Sequence, residues 1–156
     1  MIYENENKPF FDDTFVRGVD KIVDGLYDKK HCEEYQHTLN PIAYVMEFRS
    51  AFLSIPRQTG KTTYLKKLYL HMNQRGHFPL IVTRKQIDVK TNYPNNIFEA
   101  KTLSQLNSFR HQLLGQRNRH DVILFDEVNP IEATEVLDVV VMYNSSRINF
   151  VLGLYT

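Results

Sequence analysis

A single cysteine, Cys32, serves the whole chain. It has no internal partner, which excludes an internal disulfide and makes a reducing compartment the default. Glu33 and Glu34 follow it and disfavour a thiolate, so Cys32 reads as a structural thiol rather than a nucleophile. Long apolar runs are missing too. The longest, such as Val136 to Tyr143, are interrupted by charge and fall far short of the ~20 residues a membrane span needs. The stretch from Met1 to Asp13 is polar and acidic, with no apolar core for a secretory signal, so a cytoplasmic location without membrane contact is expected. Net charge is only +1, so any basic footprint for a nucleic acid must be local. The six histidines show no metal-ligand spacing with Cys32.

What is present suits one soluble domain. A chain of 156 residues can bury roughly 70% of its unfolded surface. Residues 1 to 12 read as a loose leader. A helix follows Asp13-Thr14, with Val16, Val19, Ile22, Val23, Leu26 and Tyr27 on one face. Asn40-Pro41 reads as a cap and first residue of a short helix running to about Phe48. A rhythm of strand and helix comes next. Strands are expected at Ala51–Ile55, Leu80–Thr83, Ile97–Ala100, Val122–Phe125 and Ile148–Tyr155. Helices are expected at Gly60–Gln74, Thr102–Gln116 and Pro130–Tyr143. Asn92, Pro94, Asn95 and Asn96 mark residues 86 to 96 as a loop. Apolar runs that alternate with helices indicate an α/β fold with a mostly parallel sheet covered on both faces. Ligands on such sheets bind beyond the C-terminal strand ends.

Two motifs sit at such ends. Ser54 to Thr63 follows an apolar strand and opens a helix. Loop amides and a helix N-terminus in that setting point at an anion. Gly60 lets the backbone approach a phosphate, Lys61 would reach the β- and γ-phosphates, and the Thr62 hydroxyl would ligate Mg²⁺. The full phosphate-loop pattern wants glycine where Ile55 stands. A bare Gly-Lys-Thr recurs by chance, and a helix start with a surface lysine is the plain alternative.

The second motif is four apolar residues followed by Asp126 and Glu127. Asp126 would hold Mg²⁺ through water or through Thr62, and Glu127 would orient and deprotonate a water attacking a γ-phosphate. A solvated acidic strand end is the alternative here.

Pro56-Arg57-Gln58-Thr59-Gly60-Lys61-Thr62-Thr63 resembles the deviant Walker A of the large terminase subunits, the ATPases that pump DNA into viral capsids. Those sequences also lack the first glycine and carry Arg-Gln before the Gly-Lys-Thr. Leu124 to Glu127 looks like their Walker B with its catalytic glutamate. Tyr35-Gln36 lies where these motors place an adenine-reading glutamine. Thr156 would begin the short coupling motif that senses the γ-phosphate.

The resemblance covers residues 31 to 156, after a leader and helix over residues 1 to 30. It implies a three-layer P-loop NTPase of the additional-strand, RecA-like type. The last strand would insert between the cradle strand and the Asp126 strand. It implies ATP and Mg²⁺ as ligands and a γ-phosphate role for Arg57, in cis or across a homo-oligomeric ring. It also implies double-stranded DNA and a viral capsid portal as partners, in the host cytoplasm. The rest of the packaging ATPase and the nuclease domain are not in the sequence, so the core reads as incomplete at its C-terminal end. The first lobe of a helicase-type ATPase and a non-catalytic nucleotide-binding module are the competing expectations.

Overall fold

The computed structural model describes residues 13–27, 40–57, 59–109, 120–141 and 148–156. Gln36, Gln58, Cys32 and the basic residues from Arg110 to Arg119 lie outside them. Among the described residues, six helices and five strands follow in chain order: α1 (Asp13–Tyr27), α2 (Pro41–Phe48), β1 (Ser50–Ser54), α3 (Lys61–Gln74), β2 (Pro79–Thr83), α4 (Gln86–Asn92), β3 (Ala100–Thr102), α5 (Leu103–Phe109), β4 (Val122–Asp126), α6 (Pro130–Val141) and β5 (Phe150–Tyr155).

The strands form one sheet in the order β1-β5-β4-β2-β3, with every pairing parallel. β5 is the last strand in sequence, yet it lies between β1 and β4. Successive side chains of a strand face opposite ways, and the core divides accordingly. Val122 and Leu124 join Leu152 and Leu154 in a cluster with α1 and α3, through Val16, Val19, Val23, Leu65, Leu68 and Met72. Ile123 and Phe125 join Val151 in a second cluster with α2 and α6, through Val45, Val136, Leu137 and Val140. The sheet is therefore the middle of three layers.

Local chemistry sets several element ends. Asn40 Oδ1 accepts from the Ala43 amide at 2.8 Å, and Pro41 occupies the first helical position, where no amide is needed. Thr102 and Gln105 exchange hydrogen bonds of 3.1 and 2.9 Å, a reciprocal cap on α5. Gly76, at φ 85°, follows α3 and turns the chain toward β2. Gly153 in β5 meets a different need. It is paired with Phe52 on one side and Phe125 on the other. A Cβ there would lie 2.2 Å from Phe52 Cδ1, and the two phenylalanine rings sit 5.8 Å apart.

Two expectations need correction. Residues 86–92 form helix α4, where a loop was expected. Asn92 is the last residue of this helix, the other breaking residues Pro94, Asn95 and Asn96 lie beyond it, and burial of Val89 and Tyr93 holds a short segment of modest helix propensity. The third strand starts at Ala100 rather than Ile97, because Ile97 lies in a turn with half its surface exposed. The expected ends of α5 at Gln116 and of α6 at Tyr143 lie outside the described residues.

Candidate functional site

The loop from Ile55 to Gly60 joins β1 to α3. The Ile55 amide bonds the Tyr155 carbonyl at 2.7 Å, so the chain keeps strand pairing at the position where the full pattern has glycine. Gly60 then takes φ 87°, a left-handed conformation that strains any side-chain-bearing residue. It precedes α3 without a side-chain cap. The first amides of the helix therefore face outward as donors, the arrangement that attracts anions.

The hydroxyl of Thr62, in the first turn of α3, donates to Asp126 Oδ2 at 2.9 Å. This bond joins the first turn of α3 to the tip of β4. Lys61 is buried. Its ammonium lies 3.0 Å from Glu127 Oε1 and donates to the Ile55 and Pro56 carbonyls at 3.3 and 3.2 Å. It also reaches Thr156 Oγ1 at 3.1 Å. Thr59 Oγ1 donates to the same Pro56 carbonyl at 2.8 Å and braces the loop.

Asp126 and Glu127 are adjacent but differently held. Asp126 ends β4 and is buried. Burial pushes its carboxyl above the usual range, and the Tyr93 and Thr62 hydroxyls only partly offset this. Its Oδ1 is buried with no hydrogen-bond partner, which costs of order 1–3 kcal/mol in an interior.

Glu127 leaves the strand at φ 57°, an outlier worth about 1–3 kcal/mol of strain. Its amide bonds the Leu154 carbonyl at 2.9 Å, which fixes the turn against β5. Thr156 donates to its carboxylate from both the amide, at 3.1 Å, and the hydroxyl, at 2.8 Å. Burial alone would raise this carboxyl. The hydrogen bonds from Thr156 and Lys61 outweigh it and hold Glu127 below the usual glutamate range.

Lys61, Thr62, Glu127 and Thr156 line a cleft of about 730 Å³, within the range of ligand sites, and the buried Asp126 is not among its walls. Its walls include Arg57, Gly60, Lys61, Thr62, Thr63, Glu127 and Thr156. Sequence reasoning expected these residues to converge, and the fold brings them together. Pro56 and Arg57 are exposed on the loop. Arg84 and Lys85 after β2, Asp88 in α4, Asn129 before α6 and Tyr155 at the end of β5 complete the lining.

Tyr93 was missed altogether. Its hydroxyl donates to Asp126 Oδ2 at 2.6 Å from a fully buried ring. Burial first, then the Asp126 charge, hold this phenol well above its ordinary range, so it stays a donor. Nothing in the local sequence marks it, since it sits among the residues that read as chain breakers.

No group of three or more His, Cys, Asp or Glu among the described residues is arranged to hold a metal ion. That is no obstacle for Mg²⁺, which commonly takes one or two protein oxygens and completes its shell with water and phosphate. Thr62 Oγ1 and the uncommitted Asp126 Oδ1 fit that demand. Among the described residues no helix is long and apolar enough to cross a membrane. Comparison of the chain with protein-family models, with curated proteins and with solved structures gives no match.

Proposed function

We propose that the chain is a P-loop ATPase domain of the additional-strand type, serving a viral DNA-packaging, terminase-like motor. One observation carries this reading. The Thr62–Asp126 hydrogen bond and the Lys61–Glu127 ion pair join a glycine-ended anion loop to a pair of acids at the tip of the next strand but one. The order of strands supports it, since β5 lies between the two.

On this reading the amides at the start of α3 and the Lys61 ammonium bind the β- and γ-phosphates of ATP. Thr62 and Asp126 hold Mg²⁺, which neutralises charge on the phosphate oxygens. Glu127 accepts a proton from water as the water oxygen bonds to the γ-phosphorus and the bond to the bridging oxygen breaks. Lys61 must exchange Glu127 for phosphate when ATP binds, which frees that carboxylate for water. Arg57, exposed on the cleft, would meet γ-phosphate charge in cis or from a neighbouring subunit. Assembly into a ring on double-stranded DNA and a capsid portal completes the proposal.

The test is a titration with ATP and Mg²⁺, followed by hydrolysis assays with and without duplex DNA. Lys61→Ala should abolish nucleotide affinity. Glu127→Gln should bind ATP normally and lose turnover by about 10²–10⁴-fold. ATP binding with no turnover under any condition would leave a non-catalytic module. No ATP binding at all would end the proposal.

A further inference from the structure

Asp126 is held from two sides, and the phosphate loop accounts for only one of them. Thr62 Oγ1 and the Tyr93 hydroxyl both donate to Oδ2, at 2.9 and 2.6 Å. Oδ1 is buried and accepts nothing. Rotation of a carboxylate about its last torsion is soft, and a single donor leaves it broad. Two donors arriving at the same oxygen from different elements remove that freedom. They also decide which oxygen stays unbonded.

Tyr93 is well placed for such a task. It follows α4, and its amide bonds the Val89 carbonyl at 2.9 Å. Its ring meets Phe98 edge-on, with centroids 5.6 Å apart, and Phe98 packs in turn on Tyr69 at 5.1 Å. Lys66 Nζ lies 5.9 Å from the Tyr93 and Phe98 ring centroids. The hydroxyl is thus aimed by its own packing rather than drawn into place by the carboxylate.

We propose that Tyr93 is a positioning residue for the divalent cation: with Thr62 it locks the Asp126 carboxylate so that Oδ1 alone is free for the ion or for a water of its shell. The proposal rests on the magnesium–nucleotide reading of the cleft. It acts on the cation, not on the phosphates, and this separates it from a purely structural tyrosine.

The decisive variant is Tyr93→Phe, which keeps the ring and removes one oxygen. Two quantities are compared with the parent: ATP affinity in EDTA by calorimetry, and the Mn²⁺ concentration that half-fills the ADP-loaded protein, read by electron paramagnetic resonance. The expected result is ATP affinity within about twofold and Mn²⁺ affinity weaker by about tenfold, as partners behind metal ligands generally give. Equal Mn²⁺ affinity in both proteins overturns the proposal, as does an equal loss in both quantities. If Tyr93→Phe fails to fold, 3-fluorotyrosine at position 93 preserves the shape and alters the donor. Its Mn²⁺ affinity should then shift while ATP binding in EDTA stays put, and no shift overturns the proposal. A parent that binds no ATP in any condition removes the underlying reading as well, so the two failures are distinguishable.

Discussion

Lys61 Nζ and Glu127 Oε1 stand 3.0 Å apart, although the lysine is 6% exposed and the glutamate 47%. The buried ammonium comes from the start of α3 and the carboxylate from the strained turn after β4. Each therefore stabilises the charge of the other element, and Thr156 ties both to β5.

This pairing has a pH signature. Glu127 titrates below its ordinary value of 4.5 in the folded chain. A carboxyl with a lowered folded pKa stabilises the fold above its unfolded pKa, and that contribution vanishes as pH falls through the folded value. The melting temperature of the parent should exceed that of Glu127→Gln by a constant margin at pH 6 to 8. The margin should close only below the ordinary glutamate range. Measurements in EDTA by calorimetry check this, and a margin that varies between pH 6 and 8 would count against the pair. The half-exposed glutamate keeps the effect small.

Asp126 should behave in the opposite sense. Its folded pKa is raised above 3.8, chiefly by burial. The folded chain then holds its proton more tightly than the unfolded one, so stability falls as pH rises through this window. Asp126→Asn should therefore be more stable than the parent at neutral pH, by roughly 2–4 °C if the gain is about 1 kcal/mol. The advantage should shrink in acid, while metal-dependent nucleotide binding is lost. A less stable Asp126→Asn at pH 7 would show that the two hydroxyl bonds outweigh the burial cost.

Gly153 offers a prediction about the sheet alone. Phe52 and Phe125 close over it from the flanking strands. Gly153→Val would force the Phe52 ring aside, and overpacking of this kind costs typically about 1–3 kcal/mol. Chemical denaturation should show a lower midpoint with an unchanged slope. A valine variant as stable as the parent would mean that the ring swings out freely.

Arg57 tests the motor reading. Arg57→Ala should bind ATP as the parent does and lose turnover by about 10³-fold or more, if this residue meets γ-phosphate charge. Hydrolysis measured across protein concentration, beside sedimentation, separates the two geometries. Turnover that rises with self-association in the parent and is absent in the variant supports action across a ring interface. Unchanged turnover in Arg57→Ala removes the role.

Much of the fold was legible because its signals are local. The apolar stripe of α1, the Asn40-Pro41 start of α2 and the four apolar residues before Asp126 each announce an element within a few positions. The pairing of Gly60, Lys61 and Thr62 with Asp126 and Glu127 was legible for the same reason, since each half follows an apolar strand. Helix α4 was not, because its seven residues are held by tertiary burial of Val89 and Tyr93 rather than by propensity. The Tyr93–Asp126 bond was hidden for a related reason. It depends on where that helix ends in space, and no spacing in the chain encodes it. The start of β3 was misplaced because Ile97 is apolar yet turned to solvent.

The position of β5 has a consequence for how the molecule assembles. Among the described residues β1 has a single strand neighbour, and that neighbour is β5. Until residues 150–155 dock, β1 has no strand to hold the loop that leads into α3, and Thr156 cannot tie Lys61 to Glu127, although α3 itself already packs on β2 and β4. Parallel contacts between distant segments form slowly because the loop between them must close first. Nucleotide-binding competence should therefore emerge late in refolding, after most helical signal has returned, in the step that fixes the loop before α3 and brings Thr156 onto Lys61 and Glu127.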